Sequence, residues 1–120
     1  MIRLVADAHI GGHRGFATPT DRPGVNSRCA LALDLLSQVG ARMVHDDTTV
    51  ILGALVDTDK PSPQVLAAIM HELNASPGSY CICKGNHDSA TPRPGDNALG
   101  PLSEAGHLVV RLCEVRMNVF

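Results

Sequence analysis

Short apolar runs alternate with amphipathic stretches along this chain. Residues 2–6, Ile-Arg-Leu-Val-Ala, are nearly all apolar and close on Asp7, which predicts a short buried strand. A Gly-, Pro- and Thr-rich stretch from Ile10 to Asn26 predicts a long loop, of a length that is uncommon unless the loop has a function. Cys29, Leu33, Leu36, Val39 or Gly40, and Met43 then recur every three to four residues. That is one stripe of a helix capped by Asn26 or Ser27 and running to about Val44. Gly40 costs such a helix about 1 kcal/mol relative to Ala. Thr49 to Leu52 predicts a second buried strand, ending at Gly53.

Ser62-Pro63 is a helix start, a capping hydroxyl followed by a proline in the first turn. Val65, Leu66, Ile69, Met70 and Leu73 form the stripe of this second helix, which stops near Asn74, before Pro77-Gly78. Ser79 to Lys84 predicts a third strand, and Ser89 to Asn97 a polar loop. Ala98 to Ala105 predicts a short helix broken at Gly100-Pro101, and His107 to Val115 a fourth strand. The order β-α-β-α-β, then a weaker α-β, predicts an α/β fold: a largely parallel sheet flanked by helices and joined by right-handed crossovers.

Composition sharpens this picture. At 120 residues the chain supports one domain. Phe16, Tyr80 and Phe120 are its aromatics, so the core must be aliphatic. The formal charge of −2 argues against a general electrostatic grip on nucleic acid. Cys81 and Cys83 are two apart in a predicted strand and face one side; with Cys29 and Cys113 they read as buried reduced thiols, which suits a cytoplasmic setting. No stretch approaches the roughly 18 apolar residues of a membrane span, and the start lacks a long apolar signal core.

The candidate chemistry falls at the ends of the first three strands. It comprises Asp7-Ala8-His9, then Gly53-Ala54-Leu55-Val56-Asp57, then Gly85-Asn86-His87-Asp88. In open parallel α/β sheets, ligands bind outside the carboxyl ends of the strands, so these distant clusters can share one crevice. Aspartate, histidine and asparagine form a mixed oxygen and nitrogen donor set, suited to Mn, Fe or Zn rather than to a thiolate-seeking metal. Each cluster alone has a plainer reading: a solvated carboxylate for Asp7, a left-handed turn residue for Asn86. His13, His45, His71 and the Asp46-Asp47 pair read as solvated, and Asp59 as a helix-entry residue. Arg14, Arg22 and Arg28 are candidates to face a phosphodiester backbone from the long loop.

Taken together, the three motifs resemble the calcineurin-like metallophosphoesterase family, and within it the Mre11/SbcD-type nuclease branch. The segments Asp57-Thr58-Asp59-Lys60-Pro61-Ser62-Pro63 and Gly85-Asn86-His87-Asp88-Ser89 carry the resemblance to that branch. It covers most of residues 1–120 but only the N-terminal part of the family's domain, and the apolar Val119-Phe120 end fits an incomplete domain. The resemblance implies metal ligation by Asp7, His9 and Asn86. It gives His87 the role of contacting phosphate and protonating the leaving oxygen, with Asp88 orienting His87. Asp57 would support the second motif from just outside the metal ligands. The implied cofactor is a divalent metal, Mn first, with two ions in the family; the implied substrate is a phosphodiester such as DNA. A nuclease in DNA repair with an ATPase partner subunit is the family's setting.

Two departures weaken the catalytic expectation. The family's G-D-x-x-D reads Gly53-Ala54-Leu55-Val56-Asp57 here, and a methyl group cannot replace the carboxylate that bridges two metals. Metals ~3.5–4 Å apart repel without their shared anion. The later histidine motifs are also missing, since Val109 stands where Gly106-His107-Leu108-Val109 would need a second histidine. The competing expectation is therefore a non-catalytic module of the same fold, acting in binding or assembly. A nucleotide-binding α/β domain ranks last, because neither G-x-x-x-x-G-K-[S/T] nor G-x-G-x-x-G is present.

Overall fold

A computed structural model describes residues 1–12, 15–53, 55–58, 60–83 and 101–102, and the backbone of 110–113. Its elements are β1 (Ile2–Ala6), α1 (Ser27–Ala41), β2 (Thr48–Leu52), α2 (Pro63–Ala75), β3 (Ser79–Cys83) and β4 (Val110–Cys113). The strands form one parallel sheet in the order β1-β2-β3-β4. The expected α/β alternation is therefore present in these elements. The polar loop expected at Ser89 to Asn97 lies outside the described residues, as does most of the short helix expected at Ala98 to Ala105.

Sequential strand order has a consequence for layering. Right-handed crossovers that always step in the same direction place their helices on the same face. α1 and α2 accordingly pack against each other and against one side of the sheet. Ile51, Ile69, Leu73 and Ile82 are fully buried between them, with Leu33, Leu36 and Val65. Each such aliphatic side chain contributes roughly 1.5–3 kcal/mol by leaving water.

The opposite face is not covered by the described elements, and this corrects the expectation of a buried β1. Ile2 and Leu4 are 74% and 69% exposed, while Arg3 and Val5 on the helix side are half-buried. β2 alternates similarly, with Thr49 and Ile51 buried and Thr48, Val50 and Leu52 half-buried. An apolar run is consistent with burial on both faces; only the arrangement of neighbours decides how many faces are covered.

Both helices start as expected. The Asn26 side chain accepts from Cys29 N–H at 3.0 Å, and Ser62 Oγ accepts from Val65 N–H at 3.2 Å, with Pro63 in the first turn. α1 buries Cys29, Leu33, Leu36 and Gly40, the expected stripe, and burial pushes the Cys29 thiol's pKa up. Gly40 has a positive role: a Cβ there would sit 3.3 Å from the Cβ of Ser76 and 3.4 Å from the Tyr80 hydroxyl. α1 ends at Ala41 rather than near Val44. Arg42 and Met43 N–H bond to Val39 and Gly40 carbonyls, and Val44 N–H donates to Asp47 Oδ2 at 3.0 Å, which draws the chain off the helix axis.

Asp47 is the second correction. Instead of a solvated turn residue it is only 5% exposed, whereas Asp46 is exposed. Its carboxylate receives Arg3 Nη1 at 2.5 Å and the Met1 ammonium at 3.1 Å. Arg3 Nη2 also donates to Arg42 O at 2.6 Å, so one charged hub ties β1, the end of α1 and the start of β2.

These contacts predict an acid-sensitive fold. The Arg3 hydrogen bond, then the Val44 N–H and the α-ammonium, hold the Asp47 pKa well below the ordinary carboxylate range. A depressed folded pKa adds stability that is fully present above about pH 4 and is lost as pH falls through the folded value. Asp47→Asn should lower the melting temperature at neutral pH and flatten its dependence on pH in acid, as followed by circular dichroism. Asn26→Ala and Ser62→Ala should each cost about 1 kcal/mol in urea denaturation.

Candidate metal centre

Two of the three motifs lie within the described residues, and the chain brings them together. Asp7 N–H donates to Leu52 O at 3.1 Å, which extends the β1–β2 ladder one residue past the strands. Beyond it, Ile10 and Val56 form a parallel bridge, with Ile10 N–H to Leu55 O at 2.9 Å and Asp57 N–H to Ile10 O at 3.1 Å. Ile10, Leu55 and Val56 are fully buried, so these loops are pinned to the core.

Between the ladder and the bridge, residues 7–9 arch outward. Asp7 and His9 both take left-handed backbone conformations, at φ 49° and φ 45°. Non-glycine residues adopt that region at a cost of roughly 1–2 kcal/mol each, so the surrounding bonds hold a strained arch that presents both side chains on one side. Gly53 lies beside it at φ +69°, and a Cβ there would meet Asp7 Oδ1 at 3.0 Å. Gly11 makes room similarly, since its Cβ would lie 2.9 Å from that of Asp57.

The side chains form a chain of three. His9 Nδ1 lies 3.2 Å from Asp57 Oδ1, and His9 Nε2 lies 4.0 Å from Asp7 Oδ1. Asp7 is well exposed, and His9 and Asp57 are half-buried. A small apolar cavity of about 150 Å³ lies behind Asp7, lined by Val5, Leu36, Val39 and Ile51 among others.

Asp57, expected to support the second motif from just outside the metal ligands, has its carboxylate against the histidine of the first. Periodicity gave no signal for that pairing, because it depends on the bridge between the two loops. Asn86, His87 and Asp88 lie outside the described residues, as do Ala54, Asp59, His13, Arg14 and His107. Arg28 is turned to its own loop, donating to Gly15 O at 3.0 Å, and Arg22 lines an open groove of about 440 Å³ before α1.

The donors of Asp7 and His9 are the right kind for a hard or borderline divalent cation such as Mn²⁺. Among the described residues, however, no group of three or more His, Cys, Asp or Glu is placed to hold one. Two donors alone do not make a cation site; a complete ligand set would need a donor from elsewhere.

Comparison with protein-family models, curated proteins and solved structures finds no match to this chain.

The dependence of this arrangement on Gly53 is testable. Gly53→Ala should cost about 1–2 kcal/mol from the left-handed backbone alone, with Asp7 displaced as well. Urea denaturation checks this, and an unchanged midpoint would contradict the conformation assigned to Gly53.

Proposed function

We propose that this chain is a metallophosphoesterase domain of the calcineurin-like type, built for nucleic-acid phosphodiesters in the manner of the Mre11/SbcD-type branch. The observation that carries the reading is the joining of Asp7-x-His9 to the Gly53–Asp57 segment at the carboxyl ends of adjacent parallel strands. Two short motifs over 40 residues apart meet there, with the Asp7 carboxylate 4.0 Å from an imidazole nitrogen of His9.

Asp7 and His9 would hold a divalent metal, most readily Mn, with Asn86 supplying a further donor. Such a cation supplies neutralisation of phosphate oxygens and a lower pKa for water. The chain's own residues then have defined tasks. His87 contacts the phosphate and gives a proton to the leaving oxygen, and Asp88 orients His87. DNA is the substrate class, an ATPase subunit the partner, and the cytoplasm the setting that suits the chain's thiols. Among the described residues no helix is long and apolar enough to cross a membrane.

Ala54 supports a second reading, a non-catalytic module of the same fold acting in binding or assembly. At this position a methyl group replaces the carboxylate that two cations would share, which favours one weak site over a two-metal centre.

Hydrolysis of bis-p-nitrophenyl phosphate with Mn²⁺ separates the two. The 120-residue chain should turn over barely above background, and robust turnover would sink the weakened-site reading. Ala54→Asp should raise Mn²⁺ affinity in calorimetry by roughly 10-fold or more, the scale on which single groups around a metal act. Unchanged affinity would place residue 54 away from any metal.

A further inference from the structure

We propose that the outer edge of β1 joins two copies of this chain, pairing antiparallel with the same edge of a second copy about a two-fold axis through Leu4.

β1 is the first strand of the sheet order and has β2 as its neighbour. In a parallel ladder a residue points its N–H and C=O to the same side, and successive residues alternate sides. Met1 O accepts from Thr48 N–H at 3.1 Å, and Asp7 N–H donates to Leu52 O at 3.1 Å, so the odd-numbered residues of this segment face β2. The backbone groups of Ile2, Leu4 and Ala6 therefore face outward, and among the described residues no strand pairs with them. Folds commonly guard such an edge with lysine, proline or a bulge. β1 has none of these: it pairs residue for residue, and its one charged side chain, Arg3, is held by Asp47.

A second β1 answers this edge completely. In an antiparallel pairing centred on Leu4, Leu4 faces its own counterpart and Ile2 faces Ala6, a large side chain against a small one. Each of these pairs exchanges both N–H···O bonds, so every outward group finds a partner and none is left over. The two-fold axis also brings both helix layers to one face of the joined sheet. α1 lies above β1 and β2, because Leu35, Leu36 and Val39 line the small cavity together with Val5 and Ile51. Two such helices stand two strand spacings apart, about 10 Å, which is the distance at which helices pack.

The side chains that would meet are apolar and exposed. Leu35 borders that cavity beside Ala6 and Ala8, and Leu31 lies one turn before it on the same helix face. Leu31 and Leu35 are 65% and 59% exposed, and Ile2 and Leu4 are 74% and 69% exposed on the face the helices leave open. Side chains of this size expose on the order of 100 Å² each. Counted over both copies with the edge backbone, they approach the roughly 1,000 Å² that a biological interface needs.

The inference uses none of residues 7–9 or 53–57, so it stands apart from the metal reading. Sedimentation equilibrium of the 120-residue chain should give twice the chain mass at high micromolar concentration and fall to one chain mass on dilution. Residue-resolved amide hydrogen exchange should find the Ile2, Leu4 and Ala6 N–H groups protected in the dimer and unprotected on dilution. Leu4→Lys and Leu35→Glu each replace a side chain that the single chain exposes, which spares the core. Each should weaken association by roughly 30-fold or more, as central interface residues do. A chain that stays single at high micromolar concentration overturns the proposal, and protected edge amides in that chain would show the edge covered from within. A dimer whose edge amides exchange freely, or that both substitutions leave intact, overturns it by placing the contact elsewhere. The wild-type readings need no variant to fold.

Discussion

Ile2–Ala6 pairs in parallel with Thr48–Leu52, residue for residue, and the pairing continues beyond both strands through Asp7 and the Ile10–Val56 bridge. The candidate site depends on that ladder and on the separate bridge beyond it. Its register places Asp7 and Gly53 side by side after the last strand pair, Ala6 and Leu52, and the bridge places His9 beside Asp57. At the opposite end, Asp47 draws Arg3 and the Met1 ammonium onto the start of β2. A shift of one residue would turn every β1 side chain to the other face. Arg3 would then lose Asp47, so the charged hub and the ladder enforce the same register.

The helices stabilise this arrangement without contributing to the chemistry described above. α1 and α2 cover one face of the sheet with an aliphatic core in which Ile51, Ile69, Leu73 and Ile82 are sealed from water. The core also accounts for the arch at residues 7–9. Backbone strain at Asp7 and His9 persists because buried neighbours on both sides, Ile10, Leu55 and Val56, over-determine the path of the chain. Phe16, in the long loop, shares this left-handed backbone at φ 58°, so the conformation is not confined to the candidate ligands.

The arch, the glycine opposite it and the His9–Asp57 pair are arrangements that position polar groups. In the proposed reading, the alanine in the sequence at position 54 supplies no bridging carboxylate. Both proposed readings, a feeble phosphoesterase and a binding module, share that physical basis and differ in what the remaining donors accomplish.

Much of the fold was legible from local pattern. The helical stripes of Cys29, Leu33, Leu36 and of Val65, Ile69, Leu73, and the caps at Asn26 and Ser62, are set by spacing and by side-chain oxygens within a few residues. The Asp-x-His and Gly-x-x-x-Asp clusters were legible as chemistry because they follow apolar runs. Asp47 was misread, since a carboxylate in a turn looks solvated until Arg3, 44 residues away, is brought to it. The exposure of β1 was misread for a related reason: an apolar run reports suitability for burial, whereas coverage depends on which side the crossovers place the helices. The sequence by itself determined the elements, their order and the donor types at the strand ends, because those depend on periodicity and residue chemistry close along the chain. Only the tertiary structure decided which donors meet, pairing His9 with Asp57 across 48 residues, because that pairing is made by sheet register and a single buried bridge.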